Sequence, residues 1–111
     1  MVRQSIFDMK AAKVYPLLLN KAERKGRTKE ELDEVIRWLT GWDMDEVDPE
    51  MSWGAFFENA PCMNPRAQLI TGKVCGIAVE SIEDPLMQKI RWLDKLVDEL
   101  AKGRPLEKIL R

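Results

Sequence analysis

Apolar residues recur at alternating steps of four and three between Asp84 and Gly103, which is the spacing of one face of an α-helix. The repeating positions are Leu86, Ile90, Leu93, Val97 and Leu100. Asp84 suits a helix start because its carboxylate can accept free N–H groups, and Pro85 suits the first turn because it has no N–H group to leave unpaired. The pattern predicts one long helix that ends before Gly103 and has a continuous buried stripe. Its polar side is formed mainly by Gln88, Arg91, Lys95, Asp98 and Glu99.

A second helix is predicted over residues 29–40. Thr28 and Glu31 have the spacing of a capping box, in which each side chain satisfies a free N–H group at the helix start. Gly41 marks the end of this helix. Its predicted buried face consists of Leu32, Val35, Ile36 and Leu39.

The rest of the chain contains shorter helix signals. One helix face near the N-terminus is indicated by the spacing of Phe7, Ala11, Val14 and Leu18. Pro16 interrupts this pattern, so the helix either kinks at Pro16 or begins there and runs to Lys25. Short helical turns are predicted after capping or first-turn signals at Asp43, Ser52, Asn64 and Pro105.

Residues 73–82 differ in kind from the helical segments. Val74, Ile77, Val79 and Ile82 are β-branched, Gly76 interrupts them, and no helical stripe is present. We predict an extended segment here. Because one strand cannot form a sheet alone, it must pair with another part of the chain, pair with a second subunit, or lie as an ordered loop.

The 111-residue chain is 45% hydrophobic and 33% charged, a composition typical of a compact helical protein with a strongly charged surface. We predict a single domain over residues 1–111, mainly α, with about four to six helices and at most one short extended segment. No apolar run reaches the ~20 residues that span a bilayer, and the N-terminal residues do not resemble a secretory signal. A cytoplasmic location without a membrane partner is therefore expected.

The charges are divided unevenly along the chain. Residues 1–29 carry eight basic and two acidic side chains, whereas residues 30–58 carry ten acidic side chains and Arg37. Such a division indicates two patches that face each other or a partner. The acidic stretch 43–50 lacks the glycine and the terminal glutamate of a calcium loop.

The chain contains no histidine and only two cysteines, Cys62 and Cys75. Histidine is the commonest general base and metal ligand, so its absence argues against an enzyme and against a structural zinc site. No cofactor is predicted. Reduced thiols are favoured over a disulfide, because nothing else resembles a secreted disulfide scaffold.

Short motifs occur along nearly the whole chain, in the order Val14-Tyr15-Pro16, Lys25-Gly26-Arg27-Thr28, Trp38-Leu39-Thr40-Gly41, Ala60-Pro61, Asn64-Pro65, Leu69-Ile70-Thr71-Gly72, Cys75-Gly76 and the long stretch from Leu93 to Gly103. In order and spacing they resemble a small bacterial family known as domain of unknown function 2200. The resemblance implies a mainly α-helical fold in a bacterial cytoplasmic protein, and it implies no activity because the family has none assigned. Ala78 departs from the family pattern, in which arginine is frequent at this position.

Cys75 is the best candidate for a reactive group, since Lys73 is close enough in sequence to favour its thiolate. The chain supplies no histidine base, and a small buried cysteine is the favoured alternative.

A basic cluster surrounds the predicted turn at Gly26 and superficially resembles part of a helix-turn-helix. Its members are Lys21, Arg24, Lys25, Arg27 and Lys29. The helix that follows opens with Glu30 and Glu31, which DNA phosphates would repel, so a solvated face is favoured over a nucleic-acid site.

Aromatic residues flank the acidic stretch and form the least ordinary feature of the sequence. Trp42, Trp53 and Phe57 are candidates for an exposed binding surface, with core packing as the favoured alternative.

Three functional hypotheses follow. The first is a non-catalytic, self-associating interaction module that uses the Trp42–Phe57 region or the 73–82 segment, with Val74 and Ile77 as contact residues, in a homodimer or with a protein partner. The second is a nucleic-acid-associated protein that uses the basic cluster. The third is an enzyme or binder of an unknown small molecule, centred on Cys75 and Asn64.

Overall fold

The structure of the protein is a computed structural model that describes residues 6–74 and 76–110. The α-helices are α1 (Ala11–Glu23), α2 (Lys29–Thr40), α3 (Trp53–Glu58), α4 (Pro85–Ala101) and α5 (Leu106–Ile109). The strands are β1 (Lys73–Val74) and β2 (Ile77–Ala78), and 3₁₀ turns cover Ile6–Asp8, Met44–Glu46, Pro65–Leu69 and Val79–Ser81. The prediction of a mainly α-helical fold is confirmed.

Helix α4 is in contact with each of the other four helices, with β1 and with the Val79–Ser81 turn. Its start is capped as predicted, because Asp84 Oδ1 accepts hydrogen bonds from the N–H groups of Leu86 at 2.9 Å and Met87 at 3.3 Å. The large apolar side chains that α4 buries are Ile90, Leu93, Leu96, Val97 and Leu100. Four of the five predicted stripe residues are therefore buried, whereas Leu86 is half-buried and Leu96 is a buried position that the prediction omitted.

Glu99 is a correction to the predicted polar side of this helix. Its side chain is buried, and its Oε2 atom lies 2.9 Å from Arg104 Nη1. Arg104 follows the end of α4, and its backbone N–H donates to the Glu99 carbonyl at 3.1 Å. The chain therefore turns back at Gly103 and brings a cation to a carboxylate that burial would otherwise destabilise.

Helix α2 has the predicted signals at both ends. Glu31 N–H donates to Thr28 Oγ1 at 3.2 Å, and Thr28 N–H donates to Glu31 Oε1 at 3.1 Å, which completes the capping box. At the other end Gly41 adopts a φ of 81° and its N–H donates to the Arg37 carbonyl at 2.8 Å.

Helix α1 begins at Ala11, so the option in which it starts at Pro16 is wrong. Two backbone hydrogen bonds link the beginning of α1 to the beginning of α3: Ala11 N–H donates to Met51 O at 2.8 Å, and Trp53 N–H donates to Met9 O at 2.6 Å. Pro16 cannot donate to the carbonyl one turn earlier, but it lies on an exposed part of the helix where water can take that role.

The 73–82 segment is not one extended strand. β1 and β2 pair with each other in an antiparallel hairpin, with Val74 opposite Ile77 and Lys73 opposite Ala78. Gly76, with a φ of 79°, allows the tight turn between them, and a 3₁₀ turn follows β2 directly. The segment thus pairs with itself.

Across residues 6–74 and 76–110, no helix is both long enough and apolar enough to cross a membrane.

Gly41 and Gly26 provide a matched pair for testing how the end of α2 is packed. Both have φ near 80°, but a Cβ atom at Gly41 would lie 2.9 Å from Cys62 N, whereas one at Gly26 would meet nothing within 4 Å. We expect Gly26→Ala to lose about 1–2 kcal/mol of unfolding free energy from backbone strain alone. Gly41→Ala should lose about 1–3 kcal/mol more, because the Cys62 backbone must move.

Urea denaturation of the two variants measures this difference directly. Equal losses of stability would show that the approach of residues 41 and 62 is not tight.

Candidate interaction surfaces

Four aromatic rings form one cluster at the interface of α3 with the chain that follows α2. The Trp53 and Phe56 ring centroids are stacked 4.7 Å apart, and Phe57 meets both rings edge-on. Trp42 stacks on Phe56 at 5.8 Å, and its Nε1–H group donates to the Phe56 carbonyl at 2.8 Å. These contacts anchor a helix of only six residues in the core.

The burial of this cluster removes Trp53 and Phe57 as candidates for an exposed binding surface and agrees with core packing, the favoured alternative. Trp53 and Phe57 are each 1% exposed, so neither side chain is available to a partner in this structure. Trp42 is partly buried. Helix α3 is covered by the Ile6–Asp8 turn as well as by α1 and α4. Gly54 allows the turn to approach, since a Cβ atom there would lie 3.2 Å from the Phe7 carbonyl oxygen.

The two apolar residues that the sequence grouped together pair in the hairpin but differ in burial. Val74 is buried at 6% exposure, which corrects its prediction as a surface contact, whereas Ile77 is 44% exposed. On the α4 side, Lys95 Nζ donates to the Lys73 carbonyl at 3.4 Å. In the described chain the sheet contains only these two strands, so the other edge of β2 is not paired with a strand.

Cys75 lies outside the described residues. Cys62 is exposed and free. Asn64, which the sequence associated with Cys75, is occupied locally because its Oδ1 atom accepts the Arg66 N–H at 2.8 Å and caps the Pro65–Leu69 turn.

The predicted basic cluster is partly paired with acidic residues. Arg27 Nη2 lies 2.6 Å from Glu31, and Lys29 Nζ lies 2.7 Å from Asp33. Lys21 lies 3.7 Å from Asp98 of α4. In the described part of the chain only Arg24 and Lys25 of this cluster are without an ion pair, and both are exposed.

A groove that the sequence did not predict lies between α1, the start of α2 and the acidic turn formed by residues 43–50 after α2. Its volume is about 190 Å³, and it is lined by Ala11, Ala12, Tyr15, Lys29, Met44, Asp45, Val47 and Pro49. The lining combines apolar side chains with one cation and one anion. No sequence motif indicates it, because its three walls come from separate segments.

Tyr15 forms the polar end of this groove. Its hydroxyl donates to Asp33 Oδ1 at 2.5 Å, and Lys29 Nζ lies 6.0 Å from the centre of its ring. Partial burial, followed by the hydrogen bond and the charge of Asp33, raises the pKa of Tyr15 to about 12. The hydrogen bond to Asp33 likewise raises the pKa of Lys29. The hydrogen bond from Tyr15 to Asp33 therefore links α1 to α2, with the Lys29 ammonium group beside both.

Among the described residues, no group of three or more cysteine and acidic side chains is arranged to hold a metal ion.

The fold and these surfaces define a small, mainly α-helical protein that carries one short hairpin. The sequence matches, over residues 5–111, a family described as an uncharacterized protein conserved in bacteria, DUF2200, and the chain belongs to this family. It is similar to the crystal structure of the uncharacterized protein SP1917, with a TM-score of 0.90 and 45% sequence identity over 98% of this chain and 93% of that chain. None of the curated proteins matches the sequence.

The single tyrosine of the chain makes the Tyr15–Asp33 contact measurable by ultraviolet absorbance of tyrosinate. We expect ionisation near pH 12 in the folded protein, and a lower midpoint in Asp33→Asn, because both the acceptor and its negative charge are weakened. Lys29→Met should raise the midpoint, since Lys29 favours tyrosinate. Lys25→Met, at an exposed cation without an ion pair, is the control.

The raised pKa of Tyr15 also makes the free energy of unfolding depend on pH in the alkaline range. The folded-state pKa is above the unfolded value of about 10, so the contribution of Tyr15 is complete below pH 10 and is lost as pH rises toward 12. Ionisation near pH 10 while circular dichroism still reports folded protein would contradict this account.

Proposed function

We propose that this bacterial protein is a non-catalytic interaction module of the cytoplasm that associates with a second copy of itself through β2. The observation that carries the proposal is the exposed Ile77 side chain on a strand whose outer edge is unpaired in the described chain. Unpaired strand edges present backbone groups to which another strand can bind; on β2 this group is the outward-facing Ala78 N–H, since the Ala78 carbonyl already accepts from Ser81 Oγ at 2.8 Å.

The two edges of the hairpin differ in their surroundings. β1 lies against α4, where Lys95 already donates to a β1 carbonyl, so this side is covered by the protein's own helix. β2 is the side that faces away from this contact. A two-fold axis beside β2 would pair two copies in antiparallel orientation, and each would present the same residues to the other.

A second exposed apolar side chain supports the same region. The described large apolar side chains with high exposure are Leu17, Leu69 and Ile77. Two of them belong to the segment that runs from the Pro65–Leu69 turn through β2. Two-residue strands contribute little alone, so an interface here needs this additional apolar area.

The nucleic-acid alternative has less support. Arg27 and Lys29 are paired with acidic residues of α2, which leaves fewer cations for phosphate contacts than the sequence indicated. The alternative centred on Cys75 depends on a residue outside the described chain.

Replacement of Ile77 by aspartate tests the proposal. We expect Ile77→Asp to be folded, because the side chain is exposed, and to be monomeric, because two charges would meet at the two-fold axis. Leu17→Asp is the matched control, since it introduces the same charge at a more exposed leucine of α1 and should leave the wild-type mass unchanged. Val74→Asp is unsuitable because Val74 is in the core.

Sedimentation equilibrium of the three proteins gives the masses, and thermal unfolding checks the fold. A monomeric wild type, or an Ile77→Asp protein with the wild-type oligomer mass, would contradict association through β2.

A further inference from the structure

We propose that the groove between α1 and the acidic turn binds a basic, amphipathic segment of a partner protein, with one apolar side chain in the groove and lysine or arginine residues on its acidic rim. This surface is built from different elements from the β2 edge, so the proposal does not depend on self-association.

The floor and walls of the groove are mainly apolar. Ala11 and Ala12 contribute small side chains from α1, and Met44, Val47 and Pro49 contribute larger ones from the turn that follows α2. Small residues on one wall leave space, and larger apolar residues on the other provide contact area. An apolar side chain inserted here would lose water-exposed surface at about 25 cal/mol per Å².

The size of the groove favours a single side chain. Its volume is about 190 Å³. Protein sites for drug-sized ligands are commonly about 300–1,000 Å³, whereas a cavity of about 150 Å³ holds one benzene molecule. A side chain the size of leucine, methionine or phenylalanine matches this space better than a nucleotide or another large cofactor does.

The charges around the groove determine the kind of partner. Along the acidic turn, Asp43 lies 3.5 Å from Arg37, and Glu50 lies 2.5 Å from Lys10. The three acidic residues between them have exposed side chains and no ion pair with any described residue; they are Asp45, Glu46 and Asp48. The rim thus has an excess of negative charge, which selects cationic partners and repels nucleic acid.

The nearby cations do not remove this excess. Lys29 lines the groove, but its ammonium group is already 2.7 Å from Asp33. Lys13 follows Ala12 by one residue, so it points about 100° further around α1. Apolar walls with a negative rim therefore fit a segment in which an apolar anchor is flanked by positive charges.

Two substitutions alter the groove without disturbing the core. Ala12→Phe at an exposed helical position should fill the groove from the α1 side. Asp45→Lys reverses one rim charge, and its backbone N–H can still donate to Asp43 Oδ1 at 3.0 Å. Glu34→Lys, at an exposed acidic residue of α2 without a described ion pair, is the control with the same change in net charge.

The probe is a fluorescein-labelled helical peptide with a leucine stripe bordered by lysines, and its binding to the full chain is followed by fluorescence anisotropy. We expect binding by the wild type and by Glu34→Lys, with affinity at least about tenfold lower for both groove variants. High salt should weaken binding, because the Debye length falls from about 10 Å at 0.1 M to about 3 Å at 1 M.

Two further peptides separate the contribution of the lysine charges to binding from that of the leucine side chains. Replacing the lysines with glutamates, or the leucines with serines, should each abolish binding. Retained binding of the glutamate peptide, equal binding by all protein variants, or no binding of the lysine–leucine peptide would each overturn the proposal. Loss of wild-type self-association in Ala12→Phe or Asp45→Lys would assign the groove to a second copy and would also overturn it.

Discussion

Burial of one apolar face of α4 is the interaction on which the remaining structure depends. The helix contacts α1, α2, α3 and α5, and also the hairpin and the turn that follows it. Leu93, Leu96 and Leu100 are fully buried, and each such side chain contributes about 1.5–3 kcal/mol before the entropy of ordering the chain is counted. The shorter elements have few internal hydrogen bonds, so contact with α4 or its neighbours holds them in place.

This arrangement accounts for the positions of the two surfaces that we propose for partners. Val74 is buried beside α4, whereas Ile77, its pairing partner on β2, is exposed at the margin of the core. On another part of the molecule, the bonds between Ala11 and Met51 and between Trp53 and Met9 fix α1 beside the acidic turn. The groove is a consequence of that constraint, because small α1 side chains leave the intervening space unfilled.

The sequence predicted most accurately those elements whose signals are local. The capping box at Thr28 and the Asp84–Pro85 start are correct because the residues that make these contacts are within a few positions of each other. Signals that depend on distant neighbours were less accurate. The Ile6–Asp8 turn helps to bury Trp53 and Phe57, and Arg104 stabilises the buried Glu99 carboxylate. Neither contact can be inferred from helical spacing. The groove could not be predicted, since the segments around Tyr15, Lys29 and Val47 meet only after folding.

Association through the β2 edge is the central functional claim, and the most direct test is amide hydrogen exchange as a function of protein concentration. If two copies pair along β2, the outward-facing amide of Ala78 becomes more protected as concentration rises, while the amide of Ile77, which faces Val74 within the hairpin, and the capped start of α2 exchange at a constant rate. Exchange at Ala78 that does not change between dilute and concentrated samples would contradict association through this edge.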